Sequence, residues 1–486
     1  MDLYGQTAGI LGATLWVICP TVLANAQMIT PDTAAAAFGV AAGYLFWQWL
    51  RDPSWCRVLT LGFVLGLTEL CKTTWLVLIP LWPALWVLDR FGRPDGCLIR
   101  RKEGAQLMVA GMLATLVLNA GYGFEGTCQR VADFEFISNS LSTETVTGIR
   151  TNRFTGTVVG DLPVPLPRNY VQGIDVQKRD FELGMWSYLR GEWRTEGWWY
   201  YYLYGLLVKT PIGTLLLAAL SALTGPFLRH PGAGWREEMV LLIPGLTVLG
   251  FVSSQTGFNH HLRYVLPALP FLFIWVGRVS TYRGQFRRIW TSALLIAAAA
   301  AAVSSLRIYP HAMSYFNEAA GGPLGGSAHL VDSNIDWGQD LLYLKAWYDT
   351  HPEARPFHLA YFGGVDPRAA GIEFSLLPSG PVSSTDGTPP ADSELVGPQP
   401  GWHAVSVTLL RGYRLQVPNG QGGSDFYESN LSYFLKFKPI ATAGYSIWIY
   451  HISQEECNRV RPDLGLQLLP AGPGHNAGLG DAGGQR

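Results

Sequence analysis

The sequence predicts an α-helical polytopic membrane protein of about nine transmembrane helices with a small extracytoplasmic α/β domain at its C-terminal end. Three observations predict it. Nine apolar stretches are long enough to approach a membrane span, Lys and Arg are distributed unevenly between the connections, and the hydrophobic periodicity changes after Leu306.

The stretches are Gly5–Ala24, Thr33–Leu50, Cys56–Cys71, Thr73–Leu88 and Ala105–Tyr122, then Trp199–Leu223, Met239–Ser254, Leu262–Val276 and Ile289–Leu306. A span needs ~20 mostly apolar residues, somewhat fewer where flanking groups snorkel. With the N-terminus in the cytoplasm, Arg51 and Arg57 lie inside, as do Arg90, Arg93, Arg100, Arg101 and Lys102. Arg229 and Arg236, then Arg278, Arg283, Arg287 and Arg288, fall on the same side. The opposite turns carry almost no basic residues apart from Lys72 and Arg263 at their edges, which is the positive-inside pattern of a multi-pass plasma-membrane protein. Five helices over 1–122, an external loop over 123–197, four helices over 198–306, an external domain over 307–455 and a disordered tail over 456–486 follow from this reading.

A net charge of −1 gives no basis for nucleic-acid binding. The six cysteines, at positions 19, 56, 71, 97, 128 and 457, lack metal-ligand spacing. Only Cys128 and Cys457 fall outside, and two such cysteines are expected to stay unpaired rather than bridge. Beyond Leu306, Asp336–Tyr348 has a helical face formed by Leu341, Leu344 and Trp347. Phe357–Phe362, His403–Leu409 and Tyr445–Ile452 read as strands, separated by a long loop over Pro378–Pro400.

Charged groups at membrane depth are expensive, so each is a site candidate. Asp32 opens the second span, where a carboxylate also complements a helix N-terminus. Glu69 and Lys72 are three apart and are expected to pair; unpaired, Lys72 is a phosphate ligand. Lys209 lies deep in the sixth span, just before Pro211, and calls for an anion or a cavity. Asn259, His260, His261 and Arg263 crowd one short external turn before a helix, an arrangement suited to a phosphate oxyanion. Adjacent histidines are poorly spaced for metal, and no metal ligand is assigned. Trp198 and Trp199, in "GWWYYYLYG", read either as an interfacial aromatic belt or as a sugar-facing wall. In "LVDSNIDWGQDL", Asp332, Asn334, Asp336 and Asp340 alternate as in a calcium loop, but the glycine comes one residue late and no closing glutamate follows. A turn leading into a capped helix fits better.

The strings "NHHLRYVLPALPFLF" and "SYFNEAAGGPLGGSAHLVDSNIDWGQDL" resemble bacterial members of glycosyltransferase family 39 and its relatives, the protein O-mannosyltransferases and the lipid A aminoarabinose transferase. The opening "LYGQTAGILGATLWVICPTVLANAQMITPD", "LCKTTWLVLIPLWP" and "GWWYYYLYGLLVKTPIG" extend the resemblance to most of the chain. It implies a GT-C fold and transfer of a sugar from a polyprenyl-phosphate-linked donor to a protein or glycolipid acceptor on the extracytoplasmic face. Asp32 then matches an acidic position that acts as catalytic base. Lys72, Lys209, Asn259, His260, His261 and Arg263 match donor-phosphate or headgroup contacts, with Trp198 and Trp199 on the substrate side. No cofactor is legible, and dependence on a divalent cation stays open. Two departures stand out. Asn25 occupies a place where the family has histidine, and the chain opens at the family's cytoplasmic turn. The resemblance therefore implies two further helices and an acidic external loop ahead of Met1, and inactivity of the chain without them. Two alternatives remain, an inactive binder of lipid-linked sugars and a flippase of lipid-linked intermediates. No internal repeat is visible, which weighs against the flippase.

Overall fold

The computed structural model describes residues 1–91, 100–144, 150–225, 233–381, 395–413, 416–426 and 431–470, and it divides into two compact units, Met1–Ile335 and Asp336–Arg486. The chain is mostly helical, with a small mixed sheet in the second unit.

All nine apolar stretches become helical in the first unit, the first and sixth as two helices each. With one further helix in the long loop, the main helices are α1 (Gln6–Val17), α2 (Pro20–Ala26), α3 (Asp32–Arg51), α4 (Trp55–Cys71), α5 (Leu78–Arg90), α6 (Arg101–Gly121), α7 (Arg168–Leu183, in the long loop), α8 (Tyr201–Lys209), α9 (Ile212–Thr224), α10 (Trp235–Ser254), α11 (Leu269–Gly277) and α12 (Arg287–Arg307). Among the described residues, four helices are long and apolar enough to cross a membrane: α6, α10, α12 and the continuous Leu262–Thr281, which includes α11. The number rises to six if α1 with α2, and α8 with α9, each make one span. Of the nine expected spans, four to six thus meet the requirement of length and apolarity among the described residues. Helix α4 has 17 residues, and α5 is shortened to 13 because Thr73–Val77 winds as a 3₁₀ turn ahead of it. The two bent pairs turn by 59° and 119°, at Pro20 and Pro211, where the ring removes a backbone donor.

Small residues let the helices approach. A Cβ on Gly62 of α4 would lie 2.7 Å from the carbonyl oxygen of Ala110 on α6, so only glycine permits this spacing. Buried polar groups brace the end of the bundle where α3 and α5 finish. Glu103 Oε2 accepts from Trp86 Nε1 and Arg90 Nε, both at 2.8 Å, and Arg90 also donates to Asp89 and to the Leu50 carbonyl. Arg278 donates to Glu238 Oε1 at 2.5 Å and to Ser221. Two of the arginines expected to flank the membrane are thus consumed in internal pairs. Arg93 and Arg229 lie outside the described residues.

Residues 307–335, expected with the C-terminal domain, pack instead in the first unit, and the second unit starts at Asp336. There the strands Phe357–Ala360, Gly401–Ser406, Ile447–Ile452 and Ala441–Ala443 lie side by side in that order, the first pair parallel and the others antiparallel. Alternation sorts their side chains. Leu359, Ala404, Ile447 and Ile449 face the helix Leu341–Thr350, while Val405, Tyr450 and Ile452 face Tyr433, Phe434, Cys457 and Val460. The predicted helix starts late, at Leu341, because Gly338 takes φ +77°. The predicted strand over His403–Leu409 ends at Ser406 and turns into a short helix, Val407–Leu410. The tail expected from 456 is ordered at its start: Ser453 and Glu456 form a capping box on the helix Gln454–Val460. Residues 471–486, and 382–394 of the expected long loop, lie outside the described residues. Cys128 and Cys457 are both free thiols, the latter buried.

His403 sits in the core of this unit. Its Nε2 lies 2.9 Å from the Gln399 carbonyl, and its ring faces His358 and Phe434. Burial pushes its pKa down to about 4, so the imidazole stays neutral in the fold while the unfolded chain binds a proton below ~6.5. The stability this provides is complete above pH 6.5 and is lost as the pH falls towards 4. We expect amide exchange in Gly401–Ser406 of the full chain to accelerate over that window, corresponding to roughly 2–3 kcal/mol, and His403→Gln to flatten the dependence. An identical pH profile in the variant would remove His403 from this role.

Candidate functional site: a buried cationic pair at the head of an apolar cavity

The site is assembled from three helix ends in the first unit. Asp32 is the first residue of α3, Lys72 follows the last residue of α4, and Arg263 is the second residue of Leu262–Thr281. Lys72 Nζ lies 2.5 Å from Asp32 Oδ1, and Arg263 Nε lies 3.7 Å from Asp32 Oδ2. Asp32 is 2% exposed. The expected Glu69–Lys72 pair does not form. Helix α4 stops at Cys71, and Lys72 is extended (φ −164°, ψ 132°), so its side chain leaves the helical row that Glu69 occupies. Glu69 instead accepts from the Tyr170 hydroxyl of α7 at 2.9 Å.

Tyr264 lines the same place. The Lys72 ammonium lies 4.9 Å from its ring centre and the Arg263 guanidinium 6.0 Å. A cavity of about 330 Å³ opens from this point, with Lys72, Thr73 and Tyr264 at its polar part and Val77, Phe181, Phe251 and Val252 among its apolar walls. Helix α7 contributes Ile174, Gln177 and Phe181, so the long loop is a wall of the cavity. Two cations share the Asp32 carboxylate here beside an apolar space, with the Asp332 carboxylate facing the neighbouring histidines. That combination suits an anionic headgroup on a hydrophobic tail.

The basic turn is stacked rather than splayed. The rings of Phe258 and His260 lie 4.6 Å apart and parallel to within 1°, and His261 stands edge-on to Tyr264 at 5.2 Å. His260 Nδ1 and His261 Nδ1 face Asp332 at 3.6 and 3.9 Å, and His261 Nδ1 also meets Ser333 Oγ at 2.5 Å. Burial pushes the His261 pKa down to about 3, so the ring is neutral.

Other expected contacts sit elsewhere. Asn259 is fully buried; its Oδ1 accepts from the Trp198 amide at 2.6 Å and its amide donates to Ser187 Oγ at 3.0 Å. This turn needs Gly197 (φ +55°), since a Cβ there would strike Thr256 O and Asn259 Oδ1. Trp198 is buried under Arg194, whose guanidinium lies 5.1 Å from its ring, whereas Trp199 is exposed beside Tyr200. Lys209 is buried at the α8–α9 bend. It donates to the carbonyls of Met313, at 2.7 Å, and Asn334, and lies 4.6 Å from the Phe316 ring centre. Two backbone oxygens thus take two of its three donors.

Two residues matter more than the sequence reading allowed. Asn334 Nδ2 donates to Tyr201 Oη, the His260 carbonyl and the Val331 carbonyl at 3.1, 2.6 and 2.9 Å. Its Oδ1 accepts from the Leu262 amide at 2.9 Å. Asp332 holds φ +60°, a conformation that side chains other than glycine rarely adopt. The calcium-loop resemblance drew attention to this string for the wrong reason. The acidic residue that faces the basic turn is Asp332, while Asp340 accepts from the Tyr445 and Ser446 amides and from Ser446 Oγ.

No family model, curated protein or solved structure matches the chain. Fold and site together define a mostly helical protein with several helices long and apolar enough to span a membrane, and with two cations gathered around a buried carboxylate at the ends of three helices.

Asn334 gives a direct test of how the site is held. Replacing it by Ala leaves the Leu262 amide and the His260 carbonyl without their buried partner, so Asn334→Ala is expected to destabilise the protein by roughly 2–4 kcal/mol in denaturant titration of the detergent-solubilised chain. An effect no larger than that of the exposed Asn169→Ala would contradict the bracing role.

Proposed function

We propose that the protein transfers a sugar from a polyprenyl-phosphate-linked donor to an acceptor hydroxyl on the non-cytoplasmic face of the membrane. One observation carries the reading: Lys72 and Arg263 converge on Asp32, and Lys72 stands at the head of an apolar cavity. The lipid phosphate is held by the two cations, and the first isoprenoid units lie along Val77, Phe251 and Val252. The acceptor oxygen attacks the anomeric carbon, the bond from that carbon to the phosphate oxygen breaks, and the departing phosphate keeps the electron pair. Lys72 and Arg263 stabilise that charge. Asp32, buried between the same cations, is released when the phosphate takes them over, and it then accepts the hydroxyl proton. Nine crossings and an external face for the long loop complete this reading.

A second reading, movement of a lipid-linked intermediate across the membrane, is favoured by the 119° bend between α8 and α9, because transporters use broken helices. The bend is chemically closed, however. Asn317 Nδ2 donates to the Leu207 and Thr210 carbonyls at 2.7 and 3.0 Å, and Lys209 is engaged by two others. A break used for transport leaves such groups for its cargo.

Radiolabelled polyprenyl-phosphate sugar in proteoliposomes separates the readings. Against the inactivity that the resemblance implies, the gathering of Asp32, Lys72 and Arg263 leads us to expect transfer to an acceptor extract by the native chain, with Asp32→Asn lowering the rate at least 100-fold and leaving retention of the lipid within about threefold. Equal rates for the variant would exclude Asp32 as base, and redistribution of intact donor between leaflets without transfer would favour the transport reading.

A further inference from the structure

The basic turn contains more than phosphate chemistry requires. His260, His261 and Asp332 each present one ligand atom, and the three atoms lie within 4.8 Å of one another. The imidazole-to-carboxylate separations, 3.6 and 3.9 Å, exceed the 2.7–3.2 Å of a normal N–H···O hydrogen bond. They are instead close to the edge of a coordination tetrahedron, about 3.4 Å for bonds of about 2.05 Å to zinc. His260 and Asp332 are 7% and 8% exposed, and the nitrogens that face the carboxylate are the two Nδ1 atoms, that of His261 also meeting Ser333 Oγ at 2.5 Å.

The surroundings restrict these groups as ligands are restricted. The parallel stack on Phe258 fixes the His260 ring, and the edge contact with Tyr264 fixes that of His261. Asn334 holds the His260 carbonyl and the start of the next helix. Asp332 reaches the two rings only by adopting φ +60°, a local strain of the sort found where a side chain is held for a purpose.

We propose that His260, His261 and Asp332 bind one first-row divalent cation of the zinc type. Two nitrogens and one oxygen suit zinc and its neighbours rather than calcium or magnesium, which take all-oxygen shells. Three protein ligands leave a coordination position open, the pattern of a zinc site that acts on a bound molecule rather than one that only supports the fold. The site does not depend on the lipid-phosphate reading, and its test uses no donor or acceptor.

The full chain, purified in detergent and stripped with a strong chelator, is titrated with zinc against a chromophoric chelator. One tightly bound ion per chain is expected. Asp332→Asn removes the anionic ligand while keeping a residue that tolerates positive φ, and it should weaken binding at least 30-fold; His261→Asn should do the same. Cobalt added to the native chain should give visible d–d bands of a four- or five-coordinate site, absent in both variants. His403→Gln, in the other unit, should change neither stoichiometry nor affinity. The proposal is overturned if the native chain binds no ion more tightly than Asp332→Asn, if the cobalt bands survive in both variants, or if His403→Gln removes the ion.

Discussion

A carboxylate shared by two cations is the constraint from which the site takes its form. Asp32, Lys72 and Arg263 come from three helix ends, and the Asp32 carboxylate is withdrawn from water between the two largely covered cations. Removing one member of such a set leaves charge buried without compensation, typically at a cost of about 3–5 kcal/mol. The start of α3, the end of α4 and the start of Leu262–Thr281 are thereby held at one place. The Lys72 ammonium also sits against Tyr264 at the mouth of an apolar cavity. Structural cohesion and attraction for an anion follow from the same three groups.

A second brace works through the backbone. Carbonyls freed where helices bend or end need donors, because an unsatisfied one is costly away from water. Asn317 and Lys209 meet this need at the α8–α9 bend, and Asn334 meets it where the basic turn enters Leu262–Thr281. All of these contacts join residues 309–335 to the helices around the site. The segment looks like linker in composition and acts as a strut.

Apolar runs are local and survived translation into structure; partnerships between distant residues did not. The nine stretches and three of the four sheet strands were legible, and Asp32, Lys72 and Arg263 stood out singly as charged outliers, but not as one cluster. The breaks at Pro20 and Pro211 fall inside single apolar stretches, because a hydropathy window averages across them. The Glu69–Lys72 pairing failed because a three-residue spacing matters only while the helix continues, and the helix ends between them. Lys209 was read as a substrate contact because nothing in the sequence shows that Met313 and Asn334 return their carbonyls to it, more than a hundred residues later. Asp332 escaped for a related reason: the backbone conformation that turns it towards the histidines is set by tertiary structure.

The central claim is that the Lys72–Arg263 pair is an anion site for a lipid phosphate, and native mass spectrometry of the detergent-solubilised chain tests it most directly. The native protein should retain polyprenyl phosphate in preference to the uncharged polyprenol, with Lys72→Met and Arg263→Met each reducing retention about tenfold or more and leaving the weak polyprenol signal unchanged. Equal retention of phosphate and alcohol by the native chain, or full retention of the phosphate by both variants, would contradict it.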